Sequence, residues 1–171
     1  MKVITIAGAR ETGKTTIAKQ LIKEARSVLV FDANNNYPEL QLVRMDQITP
    51  AGKQRVISQE FELFMKVASK QKNKIVVFEE ATIFFSGRVS EQDFKSLVIS
   101  CRHYNVMLIF IFHSIMDIPK FVLRQTNFLY LKKTGDMDTD VKYTRNRNVF
   151  AAWQKAMSDP DPYHTEIVKV V

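Results

Sequence analysis

One short segment constrains the fold of this chain more than any other. Residues 8–15 match the pattern G-x-x-x-x-G-K-[ST] through Gly8, Gly13, Lys14 and Thr15, directly after the apolar run Val3–Ala7. Glycines allow such a loop to curl so that its backbone N–H groups face phosphate oxygens. A helix that begins near Lys14 adds the positive end of its dipole. The segment therefore predicts a buried strand, a phosphate-binding loop and a helix.

The residues of this loop are expected to bind nucleoside triphosphate and magnesium. Lys14 is predicted to reach the β- and γ-phosphates, and the Thr15 hydroxyl to ligate Mg²⁺, which prefers oxygen ligands. A chance glycine-rich turn is the alternative, and the strand and helix patterns on both sides argue against it. The predicted nucleotide-binding residues are Gly8, Ala9, Arg10, Glu11, Thr12, Gly13, Lys14, Thr15 and Thr16.

A second motif brings two adjacent carboxylates to the end of an apolar strand. Glu79 and Glu80 follow the run Ile75–Phe78, and parallel sheets bind ligands at the carboxyl ends of their strands. Neighbouring residues at a strand end point in different directions. Glu79 is therefore expected to hold Mg²⁺ through its water shell, and Glu80 to orient or deprotonate an attacking water. Alone, such a pair is often only a polar turn; beside a phosphate loop it predicts hydrolysis.

Two further polar residues flank the apolar run Val106–Phe112. Before the run, a helix that Ser90 caps buries Phe94, Leu97, Val98 and Cys101 at helical spacing. This leaves Arg102 at the exposed last turn, where it either complements its own helix dipole or reaches a phosphate. After the run, His113 is expected beside the γ-phosphate as a catalytic residue, with a role that depends on its charge and tautomer.

Length and composition predict one α/β domain that spans residues 1–171. The chain has 46% hydrophobic and 25% charged residues, enough for a proper core. Its net charge of +7 predicts an anionic partner beyond the nucleotide, with nucleic acid as the leading candidate and an idle solvated surface as the alternative. The single Cys101 excludes an intrachain disulfide and fits a reducing compartment. No apolar stretch approaches the roughly 18 residues of a membrane span.

The remaining segments give weaker signals. The run Val28–Phe31 predicts a strand that ends at Asp32, in an Asx turn rather than a ligand contact. Residues 41–57 are ambiguous, with a possible strand at 42–45 and a loop around 50–52. A helix from Phe61 carries lysines that fit either a nucleic-acid-facing stripe or a solvated face. These are Lys66, Lys70, Lys72 and Lys74. Further strands are expected at 127–131 and 163–170, with helices near 14–26 and 148–157.

Taken together, four segments resemble the HerA/FtsK group of P-loop ATPases, and especially its short viral members, the genome-packaging ATPases of membrane-containing viruses. The segments are GARETGKT at 8–15, VVFEEA at 76–81, SCRHYNVMLIFIFHSIMDIP at 100–119 and RQTNFLYL at 124–131. The likeness implies a RecA-like (ASCE) P-loop fold, with a mostly parallel central sheet flanked by helices. In that fold the strand that ends in the sensor residue lies between the phosphate-loop strand and the acidic strand.

The resemblance also implies an activity and partners. It makes Lys14 and Thr15 the nucleotide and Mg²⁺ ligands, Glu80 the catalytic acid and Arg102 an arginine finger. The activity implied is ATP hydrolysis coupled to double-stranded DNA translocation or viral genome packaging in a homo-oligomeric ring. Virion or portal proteins are possible partners, and the expected location is the cytoplasm, either of a host or in association with a virion. The chain departs from the family pattern at Arg10 and Glu11, at Glu79 in place of Asp, and at His113 in place of Gln.

Two other function classes remain open on the sequence. A small P-loop kinase suits the length, and Asp32 with Arg145 and Arg147 offers a possible acceptor clamp. Against it, a water-activating carboxylate beside the γ-phosphate is what a kinase avoids. Strand order separates the two, because kinases place the acidic strand directly beside the phosphate-loop strand. A nucleotide-binding scaffold without hydrolysis is the third class.

Overall fold

The computed structural model describes residues 2–85, 87, 89–142 and 144–171. Eight strands form one sheet in the order β3-β4-β2-β5-β6-β1-β7-β8. All pairs are parallel except β7 with β8, so the sheet is mostly parallel as predicted. The strands are β1 Val3–Ala7, β2 Ser27–Phe31, β3 Gln41–Leu42, β4 Gly52–Val56, β5 Ile75–Phe78, β6 Met107–Phe112, β7 Phe128–Leu131 and β8 Glu166–Lys169.

Helices cover both faces of this sheet, because its central strands are apolar on both sides. On one face, α1 packs Ile17, Ala18 and Ile22 against a cluster that includes Val30 and Ile109. The other face carries the larger core, in which buried phenylalanine rings from six strands and helices contact one another. The helices are α1 Lys14–Ile22, α2 Phe61–Ala68, α3 Ala81–Phe85, α4 Glu91–His103, α5 Lys120–Leu123, α6 Asp138–Lys142 and α7 Arg147–Ser158.

The position of β6 distinguishes the strand order expected for the hydrolase from the order expected for the kinase. β6 pairs with β1 on one side and with β5 on the other, so it separates the phosphate-loop strand from the acidic strand. This is the order expected for the RecA-like fold, and it differs from the order expected for a kinase. Because β1, β5 and β6 run parallel, the loop after β1, Glu79 and Glu80 after β5 and His113 after β6 all lie at one edge. We call this the ligand edge.

Several local expectations were wrong in detail. In the segment 41–57 the first strand covers Gln41–Leu42 rather than 42–45, and a second strand, Gly52–Val56, pairs with β2 along its length. This strand was not predicted because its sequence is polar. Gln54 and Arg55 are nevertheless buried, by partners that are distant in the sequence. Helix α1 ends at Ile22 rather than near Arg26, and the terminal strand covers only Glu166–Lys169. Lys74 is buried and donates to Thr49 O at 2.7 Å, so it does not belong to an exposed lysine stripe.

Two further expectations, the burial of Cys101 and the capping of α4 by Ser90, are confirmed. Cys101 is fully buried in the larger core, and burial raises its pKa to about 12, as suits a packing residue rather than a nucleophile. Ser90 caps α4, where its Oγ accepts from Asp93 N at 3.1 Å.

No helix in the described part of the chain has the length and apolarity needed to cross a membrane.

Candidate nucleotide-hydrolysis site

The phosphate loop is held in shape by two glycines at which a side chain would clash or would strain the backbone. A Cβ on Gly8 would lie 2.8 Å from both Lys132 Cβ and Thr12 Oγ1, closer than a Cβ normally lies to either atom. Gly13 has φ +87, in the left-handed region that favours glycine. It precedes α1 directly, so the first N–H groups of that helix stay free of partners within the helix and face the loop interior. This is the arrangement that binds phosphate.

Lys14 lies inside the loop rather than in solvent. It is buried, and its Nζ donates to Ala9 O at 2.7 Å, an oxygen that also accepts from Thr12 Oγ1 at 2.9 Å. Burial lowers the pKa of Lys14, while the nearby Glu80 and Glu79 carboxylates raise it. The Lys14 side chain therefore extends across the loop to Ala9, and its ammonium lies near Glu79 and Glu80. Of the other predicted loop residues, Arg10, Glu11 and Thr16 are exposed.

Glu79 is fixed by three hydrogen bonds. Its Oε1 accepts from Thr15 Oγ1 at 2.9 Å and from Asn36 Nδ2 at 3.3 Å, and its Oε2 accepts from Tyr37 Oη at 2.8 Å. Burial raises the pKa of Glu79, and the bonds from Tyr37 and Thr15 lower it. Burial likewise raises the pKa of Tyr37, which keeps this phenol a proton donor. Glu79 and Thr15 are thus positioned together, as two magnesium ligands require.

Sequence reasoning missed Asn36 and Tyr37. They belong to the loop after β2 and appeared only as turn formers before Pro38. Tyr37 is fully buried, and its N–H donates to Asp32 Oδ2 at 3.0 Å. The only available signal was an aromatic residue among turn formers at the carboxyl end of a strand, where open α/β sheets place ligand contacts.

The residues fit a bound Mg²⁺. The Thr15 hydroxyl donates its hydrogen bond to Glu79 Oε1, so the lone pairs of the Thr15 oxygen remain available to a cation. A carboxylate and a hydroxyl supply two hard oxygen donors, and Mg²⁺ usually takes the rest from phosphate and water. Thr15 and Glu79 would therefore hold the ion, which neutralises charge on the phosphate oxygens when bound.

Glu80 points away from Glu79 and contacts His113. Its Oε2 lies 2.6 Å from His113 Nε2, and the side chain is 14% exposed. The backbone of Glu80 has φ 58, an uncommon conformation for a residue other than glycine, and this turn separates the two carboxylates. The backbone N–H of His113 donates to Thr82 Oγ1 at 3.0 Å. One carboxylate is thus directed to Thr15, the predicted metal ligand, and the other to the end of β6.

Arg102 lies at the opposite edge of the sheet. It is exposed at the end of α4, next to Tyr104, whose carbonyl accepts from Asn73 N at 2.9 Å just before β5 begins. The six residues of β6 separate this edge from His113 by about 20 Å. Arg102 therefore cannot contact a nucleotide in the loop of its own chain.

Asp32 is not available to a substrate. It is fully buried, its Oδ1 accepts from Asn36 N at 2.7 Å, and its Oδ2 forms an ion pair with Arg55 Nη1 at 3.0 Å. Asp32 therefore stabilises its own loop, but it accepts from backbone N–H groups four and five residues on, rather than two residues on as the predicted Asx turn requires. The acceptor clamp suggested for a kinase is wrong with respect to Asp32. Arg145 and Arg147 are exposed.

Comparisons with known proteins agree with this geometry. The model of the AAA domain family matches residues 1–105. The genome packaging NTPase B204 from Sulfolobus turreted icosahedral virus 2, solved with ATP-gammaS, is 18% identical with a TM-score of 0.82, and the match covers 99% of this chain and 92% of B204. The DNA-packaging ATPase B204 from Sulfolobus Turreted Icosahedral Virus is 19% identical with a TM-score of 0.77, over 99% and 92% of the two chains.

A third structure extends the likeness to a bacterial protein. EssC (ATPases 2 and 3) from Geobacillus thermodenitrificans is 14% identical with a TM-score of 0.59, and the match covers 98% of this chain and 37% of that one. At these identities the structures show a shared fold. No curated protein sequence matches the chain significantly.

Proposed function

This chain belongs to the AAA domain family, and on that basis we propose that it is an ATP-hydrolysing motor that moves double-stranded DNA from within a homo-oligomeric ring. In a genome-packaging role, the proposal implies virion or portal proteins as further partners and the host cytoplasm or the virion as the place of action. The similarity in fold to the B204 packaging NTPases supports this role over other motor tasks.

One observation carries the hydrolytic part of the proposal. Two adjacent carboxylates take separate positions at the ligand edge, with Glu79 bonded to Thr15 and Glu80 bonded to His113. Burial lowers the pKa of Lys14, and both carboxylates lie close enough to offset part of that lowering. A site that only bound nucleotide would need no second carboxylate there, and a kinase would avoid one.

Each group has a distinct task in this proposal. The loop N–H groups and Lys14 bind the β- and γ-phosphates and orient the terminal phosphoryl group. Glu80 positions the attacking water and accepts its proton, and His113 holds the Glu80 carboxylate towards the end of β6. Charge that spreads over the γ-phosphoryl oxygens needs a cation, which Arg102 of a neighbouring subunit supplies.

We expect Lys14→Ala to weaken ATP binding by about 10- to 100-fold, because the phosphates lose a charge-assisted hydrogen bond in a buried position. Isothermal titration calorimetry with ATP and Mg²⁺ measures this. Lys19→Ala is the matched control, since Lys19 belongs to the same helix but forms a surface ion pair with Glu39 at 3.1 Å. Parental affinity in Lys14→Ala would contradict the assignment of the loop.

The charge distribution supports an anionic partner in addition to the nucleotide. The chain carries 25 Lys and Arg against 18 Asp and Glu. Several exposed basic residues lie at or near the amino ends of the parallel strands, where Lys2 and Arg26 line a cavity of about 370 Å³ with Asn73, buried Lys74 and Asn105. Lys and Arg bind DNA phosphates without regard to sequence. This suits a motor that must move any sequence.

We expect double-stranded DNA of any sequence to raise the ATPase rate several-fold, with an effect that fades as salt rises because phosphate contacts release counterions. Steady-state phosphate release, measured with two unrelated duplexes over a range of KCl concentrations, tests this. The matched control is the same series without DNA, which corrects for salt effects on the hydrolytic site itself. Stimulation by a small metabolite acceptor, with none by DNA, would favour a kinase instead.

A further inference from the structure

The C-terminal loop between α7 and β8 lies against the phosphate loop. A Cβ placed on Gly13 would lie 3.7 Å from Tyr163 Cδ1 and 3.6 Å from Lys132 Cε. These residues are distant in the chain and meet only because β7 and β8 extend the sheet next to β1. Lys132 and Tyr163, which the predicted site did not include, therefore border the phosphate loop.

Lys132 fixes the C-terminal loop in this position. It is buried, its stem crosses Gly8 and Gly13, and its ammonium donates to Tyr163 O, to His164 O at 3.3 Å and to Thr165 Oγ1 at 2.9 Å. An ammonium has three donors, and all three are used here. Lys132 therefore holds the backbone of the loop rather than the phosphates.

Tyr163 presents its ring to solvent from this fixed backbone. Its N–H donates to Asp161 Oδ1 at 2.8 Å, and the next residue, His164, contacts Asp159 and Glu166 at 3.2 and 2.9 Å. Tyr163 as a whole residue is 64% exposed. A large aromatic ring on a tethered backbone, exposed beside a ligand site, is placed to receive a flat ligand group.

The expected direction of a bound triphosphate also places its nucleoside beside Tyr163. Its γ-phosphate must face Glu80 and His113, which follow β5 and β6 on one side of the phosphate loop. The nucleoside at the other end of the triphosphate then leaves on the opposite side. That side is formed by the continuation of β7, where Ala9 N donates to Lys133 O at 2.8 Å, and by Tyr163.

We propose that Tyr163 is the stacking platform for the base of the bound nucleoside triphosphate, held in place by Lys132. The inference rests on the proposed nucleotide binding and adds the position of the base. Every base offers a π face, so stacking alone favours large purine rings without separating ATP strictly from GTP. Lys132 acts here as a positioning residue.

The test compares a full nucleotide with a ligand that lacks base and sugar. Tyr163→Ala is expected to weaken ATP binding about 10-fold, the scale of one base stacked on an aromatic ring, and to leave inorganic tripolyphosphate binding unchanged. Tyr163→Phe is expected to retain the parental ATP affinity, because the ring rather than the hydroxyl does the stacking. Calorimetry with Mg²⁺ gives all of these affinities.

Tyr104→Ala is the matched control, since Tyr104 is 41% exposed and lies before β6, away from the ligand edge. The inference is overturned if Tyr163→Ala leaves ATP affinity unchanged, or if it weakens ATP and tripolyphosphate equally. Loss of affinity in Tyr163→Phe as large as in Tyr163→Ala also overturns it. Failure of the parent protein to bind either ligand would instead reject the proposed function on which the inference rests.

Discussion

Glu80→Gln is expected to stop ATP turnover, with a rate about 10² to 10⁴ times lower than that of the parent, and to leave ATP binding intact. The amide keeps the size of the carboxylate but accepts no proton from water. Binding is expected to persist because the Glu80 side chain contacts His113 at 2.6 Å, whereas the phosphates are expected to be held by the loop and Lys14. Removing a negative charge close to the triphosphate also reduces the electrostatic repulsion on its phosphates.

Phosphate release and ATP titration, measured on the same preparation, separate these two effects. Glu62→Gln makes the same charge change on the exposed face of α2, and we expect it to hydrolyse at the parental rate. If Glu80→Gln turns over ATP like the parent, the water-positioning role of Glu80 is wrong. If both binding and turnover are lost, Glu80 supports the loop instead.

Arg102→Ala is expected to lower the hydrolysis rate by about 10³ to 10⁵ while ATP still binds, the range of known arginine fingers. A guanidinium stays charged and presents a planar fork to phosphate oxygens. The structure adds a reason for action between subunits, because Arg102 is exposed at the edge opposite its own phosphate loop. The proposal requires a head-to-tail ring in which the end of α4 lies beside the next subunit's ligand edge. Lys95→Ala removes a positive charge from an exposed position of the same helix, where Lys95 pairs with Glu91 at 2.9 Å, and is the control.

Mixing two inactive variants tests this arrangement directly. An Arg102→Ala subunit carries an intact Glu80, and a Glu80→Gln subunit carries an intact Arg102. With random assembly of equal amounts, about a quarter of the interfaces combine both intact residues, so activity should return. If each site instead needed both residues from one chain, mixing would restore nothing. Absence of activity in mixtures, with mixed assembly shown separately, would make Arg102 a helix-end residue.

Much of the site was encoded locally in the sequence. The phosphate loop was predictable because Gly8, Gly13, Lys14 and Thr15 are close in the chain and each type has one physical reason to be there. The positions of Glu79, Glu80 and His113 followed from apolar runs that end in polar residues. Such runs predict strands, and parallel strands deliver their carboxyl ends to one edge.

Other features depended on contacts between residues far apart in the chain. Strand β4 was missed because its polar residues are buried by partners such as Asp32, which pairs with Arg55. Tyr37 approaches Glu79 only after β2 and β5 pair. Tyr163 and Lys132 reach Gly13 only because β7 adds to the sheet next to β1.

The sequence by itself thus determined the chemistry at the ends of β1, β5 and β6, since that chemistry resides in consecutive residues. The tertiary structure decided the order of the strands, with β6 between β1 and β5, and therefore which strand ends became neighbours. It also placed Arg102 at the edge away from the phosphate loop of its own chain. The physical reason is that hydrophobic periodicity specifies which face of an element is buried, but not which other element buries it. That choice is made by side-chain packing and strand pairing across the whole sheet.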